Sequence, residues 1–191
     1  MKRLIILALV IAALLCTCGF TKANTEAAPW TNRQQELHEL ANMARAMGLP
    51  ESNPIIKEAK RLWHQEETDL RILANVILGE APYCSDRHQQ LVAQVVLNRV
   101  ESPLFPDNVV DVVNAPKQYN PDYTRNLPEI ETADAEQYRA FVNALKAMNG
   151  EVDCPAEVVY QSEFKSLGSG IYEQITVDTG WFYSTTYFNY K

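Results

Sequence analysis

Basic residues are scarce in this chain: 17 Lys and Arg stand against 24 Asp and Glu in 191 residues, a formal net charge of -7. A sequence-independent grip on nucleic-acid phosphates needs clustered Lys and Arg, so an anionic duplex is not an expected partner. Glycine is also sparse, at 7 residues beside 10 prolines, while 47% of the chain is hydrophobic and 21% charged. That composition excludes collagen-like, low-complexity and wholly disordered chains and is ordinary for one globular domain. There is no Gly-rich phosphate loop, Ser nucleophile elbow, zinc-ligand spacing or internal repeat, so no metal and no cofactor is expected. The three histidines, His38, His64 and His88, all precede residue 90. His88 lies in the first turn of an expected helix with no metal or triad partner in register, and is read as a solvated surface residue.

Long apolar runs are confined to the beginning. Lys2 and Arg3 precede an unbroken apolar run from Leu4 to Leu15, the layout of an export signal and too short for a membrane span. Cleavage is expected after Ala23, with Thr21 and Ala23 as the small residues the peptidase reads. Loss of Lys2, Arg3 and Lys22 leaves 14 basic residues against 24 acidic ones, a mature charge of -10. The expected organisation is a signal peptide over 1–23, a linker over 24–32, a helical extension over 33–65 and the functional domain over 66–191. The destination is the cell envelope or the medium, and a monomer is expected.

Cysteine is rare, with 4 residues. Cys16 and Cys18 fall in the signal region, where lipidation of Cys18 would attach the protein to a membrane; simple cleavage is preferred, because the preceding residues, Leu15 and Thr17, are poor matches to the small residue that lipidation needs. Cys84 and Cys154 remain as an even pair in an exported chain, the setting in which a disulfide is expected, with two free buried thiols as the alternative. The loop-entropy contribution of that bridge would be about 4 kcal/mol at most.

Hydrophobic spacing predicts a helix over 33–47, a second over 54–65 and a third from Thr68, as N-cap, to Glu80, which Pro82 stops. Asp86 with Gln89 reads as a capping box opening a helix that ends before Pro103, and a shorter helix is expected over 107–114. Asp134 with Gln137 opens the last helix, with Tyr138, Phe141, Val142 and Leu145 as its core face and Gly150 as its stop. The Val-, Thr- and aromatic-rich end reads as two or three short strands. The fold class is therefore α+β, mainly helical, with a small antiparallel β element near the C-terminus. Five aromatics, Trp181, Phe182, Tyr183, Tyr187 and Phe188, crowd together there; sugar stacking and core packing compete, and packing is favoured for at least half of them.

Glu80 is the candidate for chemistry. Its spacing from Leu73, Val76 and Ile77 puts the carboxyl on the apolar side of its helix, at the negative end of the helix dipole. Both influences disfavour the carboxylate and raise its pKa, as a proton donor to a glycosidic oxygen requires. Asn98 points into apolar surroundings and, with Arg99, is expected to tie its helix to neighbouring groups.

The stretch LANVILGEA, followed without insertion by VAQVVLNRVESPLFPDNVVDVV and then KQYNP, resembles the cell wall hydrolase family typified by spore-cortex-lytic enzymes. The resemblance covers roughly residues 70 to 165. It implies a lysozyme-like α+β fold and cleavage of peptidoglycan glycan strands, with Glu80 in the catalytic position. It also implies substrate contacts at Gln89, Gln118, Tyr119 and Asn120, to which Trp181 and Tyr183 are added from the aromatic end. Where the family usually continues with Arg-Gly-Glu, this chain has Pro82, Tyr83 and Cys84, so the second carboxylate is lost; the family's C-terminal His is missing too. Asp122 and Asp178 are the substitutes to consider, and both read more readily as turn residues. A single carboxyl suits a lytic transglycosylase, in which the muramic acid's own 6-hydroxyl attacks, whereas a hydrolase needs a partner group to hold water. The competing reading is an envelope protein that binds peptidoglycan without cutting it.

Overall fold

The computed structural model describes residues 30–191 apart from 166, 179, 181 and 182. The expected signal peptide, Cys16, Cys18, most of the linker and Trp181 lie outside the described residues. Among the described residues the architecture is α+β: five helices with two short 3-10 turns, followed by a three-stranded antiparallel sheet at the C-terminal end.

Helix α1, Asn32–Ala46, starts at a capping box between Thr31 and Gln34 and buries Leu37, Leu40, Ala41 and Ala44. Helix α2, Pro54–Glu80, is one continuous rod of 27 residues where two helices were expected. Nothing between Gln65 and Glu67 breaks a helix. Thr68 cannot cap because its hydroxyl donates back to the His64 carbonyl at 2.9 Å. The expected domain boundary after residue 65 thus falls inside α2. Two clusters of buried residues pack on either side of it: Leu37, Leu40, Ala41 and Ala59 against the first half, and a larger core that begins at Leu70.

Helix α3, Asp86–Glu101, is capped by Ser85, whose hydroxyl accepts from the His88 N–H at 3.3 Å. Asp86 is therefore the first helical residue and not the cap; it reaches across to Arg139 and Asn143 instead. Helix α4, Val109–Asn114, follows an Asn108 cap, and the 3-10 turns span Pro121–Thr124 and Ile130–Thr132. Helix α5, Ala135–Met148, has the expected Asp134–Gln137 capping box, and Gly150 takes a left-handed φ of 71° after it. Its buried face is Ala140, Phe141, Asn143, Ala144 and Ala147, so small residues let α5 approach α3 closely. Tyr138, expected in that face, lies at its rim and is 51% exposed.

Strands β1, Val158–Ser162, β2, Gly170–Asp178, and β3, Tyr183–Tyr190, pair in the order β1-β3-β2. The larger core gathers the second half of α2, α3, α4, α5 and the inner residues Val158 and Phe188 of the sheet. The expected ties from Asn98 and Arg99 hold the sheet to α3: Asn98 Nδ2 donates to the carbonyls of Pro155 at 2.8 Å and Val158 at 2.9 Å, and Arg99 Nε donates to the Val159 carbonyl at 2.7 Å. None of the described helices is long and apolar enough to cross a membrane.

Candidate active site

Glu80 is the last residue of α2, and Pro82 lies too close for the helix to continue. One residue earlier, Gly79 serves a close approach: a Cβ there would stand 2.1 Å from the Tyr123 hydroxyl oxygen, so only glycine admits that phenol. Tyr123 sits in the 3-10 turn Pro121–Thr124. Its carbonyl accepts from Asn75 of α2 at 3.1 Å, and the turn begins at Asn120, whose side chain accepts from the Asp122 N–H at 3.0 Å. The Tyr123 hydroxyl stands close enough to the Glu80 carboxyl for each to perturb the other.

Glu80 is exposed at the helix end, and partial desolvation there raises its pKa from the ordinary value, while the nearby Tyr123 hydroxyl and the Arg99 guanidinium hold that rise back. Burial and the neighbouring Glu80 together push the Tyr123 phenol to about 12, so it remains a donor at neutral pH. Arg99 is buried between the rings of Phe105 and Tyr119, at 5.4 Å and 5.2 Å from their centres.

Beside Glu80 opens a cleft of about 460 Å³. Its helical wall includes Glu80, Tyr83, Cys84 and His88, and its sheet wall Gln161, Ser162, Glu163 and Thr186. Tyr83 holds a left-handed φ of 58°, with its N–H donating to Glu136 at 2.9 Å and its ring exposed at the cleft. The arrangement is an open groove with a protonatable carboxyl at one side and hydroxyl and amide groups at the other, suited to a polar, extended ligand.

The sequence profile of the family described as Cell Wall Hydrolase matches residues 85–183. The chain belongs to the cell wall hydrolase family. Similar proteins include three named spore cortex-lytic enzyme. That of Halalkalibacterium halodurans is 34% identical over 86 residues, covering 44% of this chain and 24% of that protein. The protein from Oceanobacillus iheyensis is 40% identical over 53 residues, 28% of this chain and 19% of the relative. The Bacillus subtilis protein is 44% identical over 48 residues, 25% and 16% of the two lengths. The chain thus matches a quarter or less of the length of these relatives. No solved structure gives a significant match.

The segment matched to the cell wall hydrolase family carries α3, the Tyr123 turn and most of the sheet wall, with Glu80 just ahead of it. Several residues expected to touch substrate lie elsewhere. Gln89 is wholly buried: its Nε2 donates to the Ala81 carbonyl at 3.2 Å and to Glu136 at 2.9 Å, and its Oε1 accepts from Asn143 at 2.8 Å. It braces the loop after Glu80 and has no face left for a ligand. Tyr119 is buried under the groove against Arg99 instead of bordering it. Gln118 and Asn120 are exposed away from the cleft lining, and Asn120 acts as a cap. Tyr183 is 71% exposed at the start of β3, opposite Asp178, and does not line the cleft.

His88 corrects the surface reading. It is 3% exposed, lies edge-on to Phe188 at 5.7 Å and lines the cleft, because the sheet covers the first turn of α3; burial lowers its pKa. Asp122 pairs with Arg125 at 3.2 Å, and Asp178 accepts from the Gly180 N–H at 2.8 Å, so both act as turn residues. Cys84 and Cys154 are free thiols, not a disulfide. Cys84 sits ahead of α3, where its carbonyl accepts from Arg139 at 2.7 Å, while Cys154 Sγ accepts from Asn98 in the last turn of α3 at 3.8 Å. The body of α3 between those two anchors, roughly 20 Å at 1.5 Å per residue, far exceeds the reach of a disulfide. The residues that sequence reasoning missed are Tyr123 and Glu163. Tyr123 stands in the proline-bounded loop AP-KQYN-PDY, where its aromatic ring was the available signal; Glu163 carried none.

Proposed function

We propose that this chain cleaves the glycan strand of peptidoglycan at the bond between muramic acid and glucosamine, with Glu80 as its general acid. The carrying observation is Glu80 itself, a carboxyl at a helix end whose pKa is raised by partial desolvation and which opens onto the groove under the Tyr123 hydroxyl. Such a group is protonated over more of the neutral range than a solvated Glu and transfers its proton to the leaving glycosidic oxygen as the bond breaks. Membership of the cell wall hydrolase family and the names of the spore cortex-lytic relatives support peptidoglycan as the substrate. The work site on this reading is the envelope or the medium, whether the protein is released after Ala23 or held by a lipidated Cys18.

If Glu80 is the only carboxyl in the reaction, it serves first as acid and then as base. The muramic 6-hydroxyl then closes onto C1, and the enzyme is a lytic transglycosylase that leaves 1,6-anhydro ends. The outcome turns on whether another group holds a water at that carbon.

Zymography on purified peptidoglycan tests the activity, with Glu80→Gln as the control. Gln is nearly isosteric but has no proton to give, so clearing should fall by about 10² to 10⁴-fold while circular dichroism stays unchanged. Retention on peptidoglycan without clearing by the wild type would select the non-catalytic binder; wild-type clearing by Glu80→Gln would remove Glu80 from the chemistry.

A further inference from the structure

Tyr83 stands in the turn between α2 and α3, three residues after Glu80, with a left-handed φ of 58°. That backbone suits glycine, because a Cβ crowds the following carbonyl, so a tyrosine there is held at a cost in free energy. The turn is braced to bear it. The Tyr83 N–H donates to Glu136 at 2.9 Å, the Cys84 N–H donates to the Ala81 carbonyl at 3.3 Å, and the Cys84 carbonyl accepts from Arg139 at 2.7 Å. Gln89 of α3 donates both to Glu136 and to the Ala81 carbonyl. These bonds fix the backbone of the turn, yet the ring it carries is 83% exposed at the cleft. A strained backbone on a braced turn beside a candidate active site marks a side chain kept for a ligand.

The other residues of the cleft lining restrict what that ligand is. None of them is Lys or Arg, while Glu80 and Glu163 are both there, so the cleft offers an anion nothing to pair with. Ser162, Ser184 and Thr186 bring hydroxyls to the sheet side, and Val92 and Val177 add apolar surface. His88 Nδ1 and Gln161 Oε1 are buried without a hydrogen-bond partner among the described residues, so the walls keep polar capacity that the protein itself does not use. An uncharged ring with an apolar face and a polar edge suits all of these groups. A pyranose is such a ring: its C–H face packs on an aromatic side chain while its hydroxyl and amide groups form hydrogen bonds around the rim.

We infer that Tyr83 is a stacking residue of this cleft, on whose ring an uncharged pyranose of the glycan strand lies, holding the strand beside Glu80. The inference rests on the reading of the cleft as the glycan site. Tyr83 thereby takes the contact that the sequence assigned to the C-terminal aromatics, of which Tyr183 does not line the cleft. Because the turn already fixes its backbone, little freedom is lost when the sugar binds. Tyr83 acts on binding and not on proton transfer, so its loss weakens the hold on substrate and transition state alike.

Steady-state cleavage of soluble peptidoglycan fragments by the full chain tests this. Tyr83→Asn removes the ring and supplies a residue that accepts a left-handed φ, so the turn keeps its shape. KM should rise about tenfold, equivalent to about 1.4 kcal/mol, with kcat within about twofold of the wild type. Tyr83→Phe keeps a ring and should restore the wild-type KM. Tyr83→Gly relieves the strain, so it should leave the melting temperature at or above the wild-type value while losing the same affinity, a combination that a merely structural role would not give. Retention of Glu80→Gln on purified peptidoglycan should weaken about tenfold when Tyr83→Asn is added, which reads binding without turnover. An unchanged KM in Tyr83→Asn, or a fall in kcat alone, would overturn the role of Tyr83 and leave Glu80 as the acid. Absence of both cleavage and retention in the wild type would instead remove the proposed function on which the inference stands.

Discussion

Glu80 is under opposed influences, and on the proposed reading their balance sets the pH at which it can serve as the acid. Partial desolvation raises its pKa, while the Tyr123 hydroxyl and the Arg99 guanidinium favour the ionised form and hold the rise back. A general acid must be protonated, so glycan cleavage should fall as pH climbs through that raised pKa. Tyr123→Phe removes the nearby hydroxyl that favours the carboxylate, and the pKa should then rise further. The alkaline limb of the rate profile should therefore shift to higher pH, measurable from the pH dependence of muropeptide release; a shift to lower pH would mean that Tyr123 does not stabilise the carboxylate. At this scale the sequence was legible for Glu80, because helical spacing and a following proline are local. It was silent on Tyr123, whose hydroxyl reaches Glu80 only because Gly79 clears the space. His88 was misread for a related reason: its own helix leaves the first turn open, and the sheet, which comes later in the chain, closes it.

The elements are joined by side-chain amides as much as by apolar contact. Gln89 links the loop after α2, helix α3 and helix α5 through the Ala81 carbonyl, Glu136 and Asn143. Gln89→Ala would take one partner each from the Asn143 amide, which keeps Asp86, and from the Ala81 carbonyl, which keeps the Cys84 N–H, and would open a small void. The expected loss is about 2 to 4 kcal/mol, visible as a lower urea midpoint with an unchanged slope. The Asp134–Gln137 capping box joins residues three apart, which is why the start of α5 is legible in the sequence; the Thr31–Gln34 box that opens α1 has the same spacing. Thr68 has the residue type of a cap, but it stands among helix formers and uses its hydroxyl inside the helix. The long α2 that results carries the α1 packing at one end and Glu80 at the other.

On the scale of the whole molecule, two cores share one helix. The smaller lies between α1 and the first half of α2, the larger under the candidate site. Leu40 is buried in the smaller one, and Leu40→Ala should cost about 2 to 4 kcal/mol there. Hydrogen exchange should quicken in α1 and the beginning of α2, while the rate of glycan cleavage stays at the wild-type value. The thiols give a second global test. With Cys84 and Cys154 free, both should be alkylated in denaturant without reductant, and reductant should leave the melting temperature where it was. A bridged pair would resist alkylation and lose up to about 4 kcal/mol on reduction.

What the sequence determined by itself is what depends on neighbours within a few positions. It specified the helix stripes, the Asp134 cap, the stops at Pro82 and Gly150, the turn roles of Asp122 and Asp178, the α+β class and the place of Glu80 at a helix end. The resemblance to cell wall hydrolases was legible for the same reason, since its motifs are short and ordered along the chain. Only the tertiary structure decided that Glu163 shares a cleft with Glu80, that the Tyr123 hydroxyl stands near Glu80, that Gln89 and Tyr119 are buried supports, and that α3 keeps the cysteines apart. Those outcomes depend on how α3 carries the sheet beside the Glu80 end of α2, and local propensity carries no record of distances set by packing between elements remote in the chain.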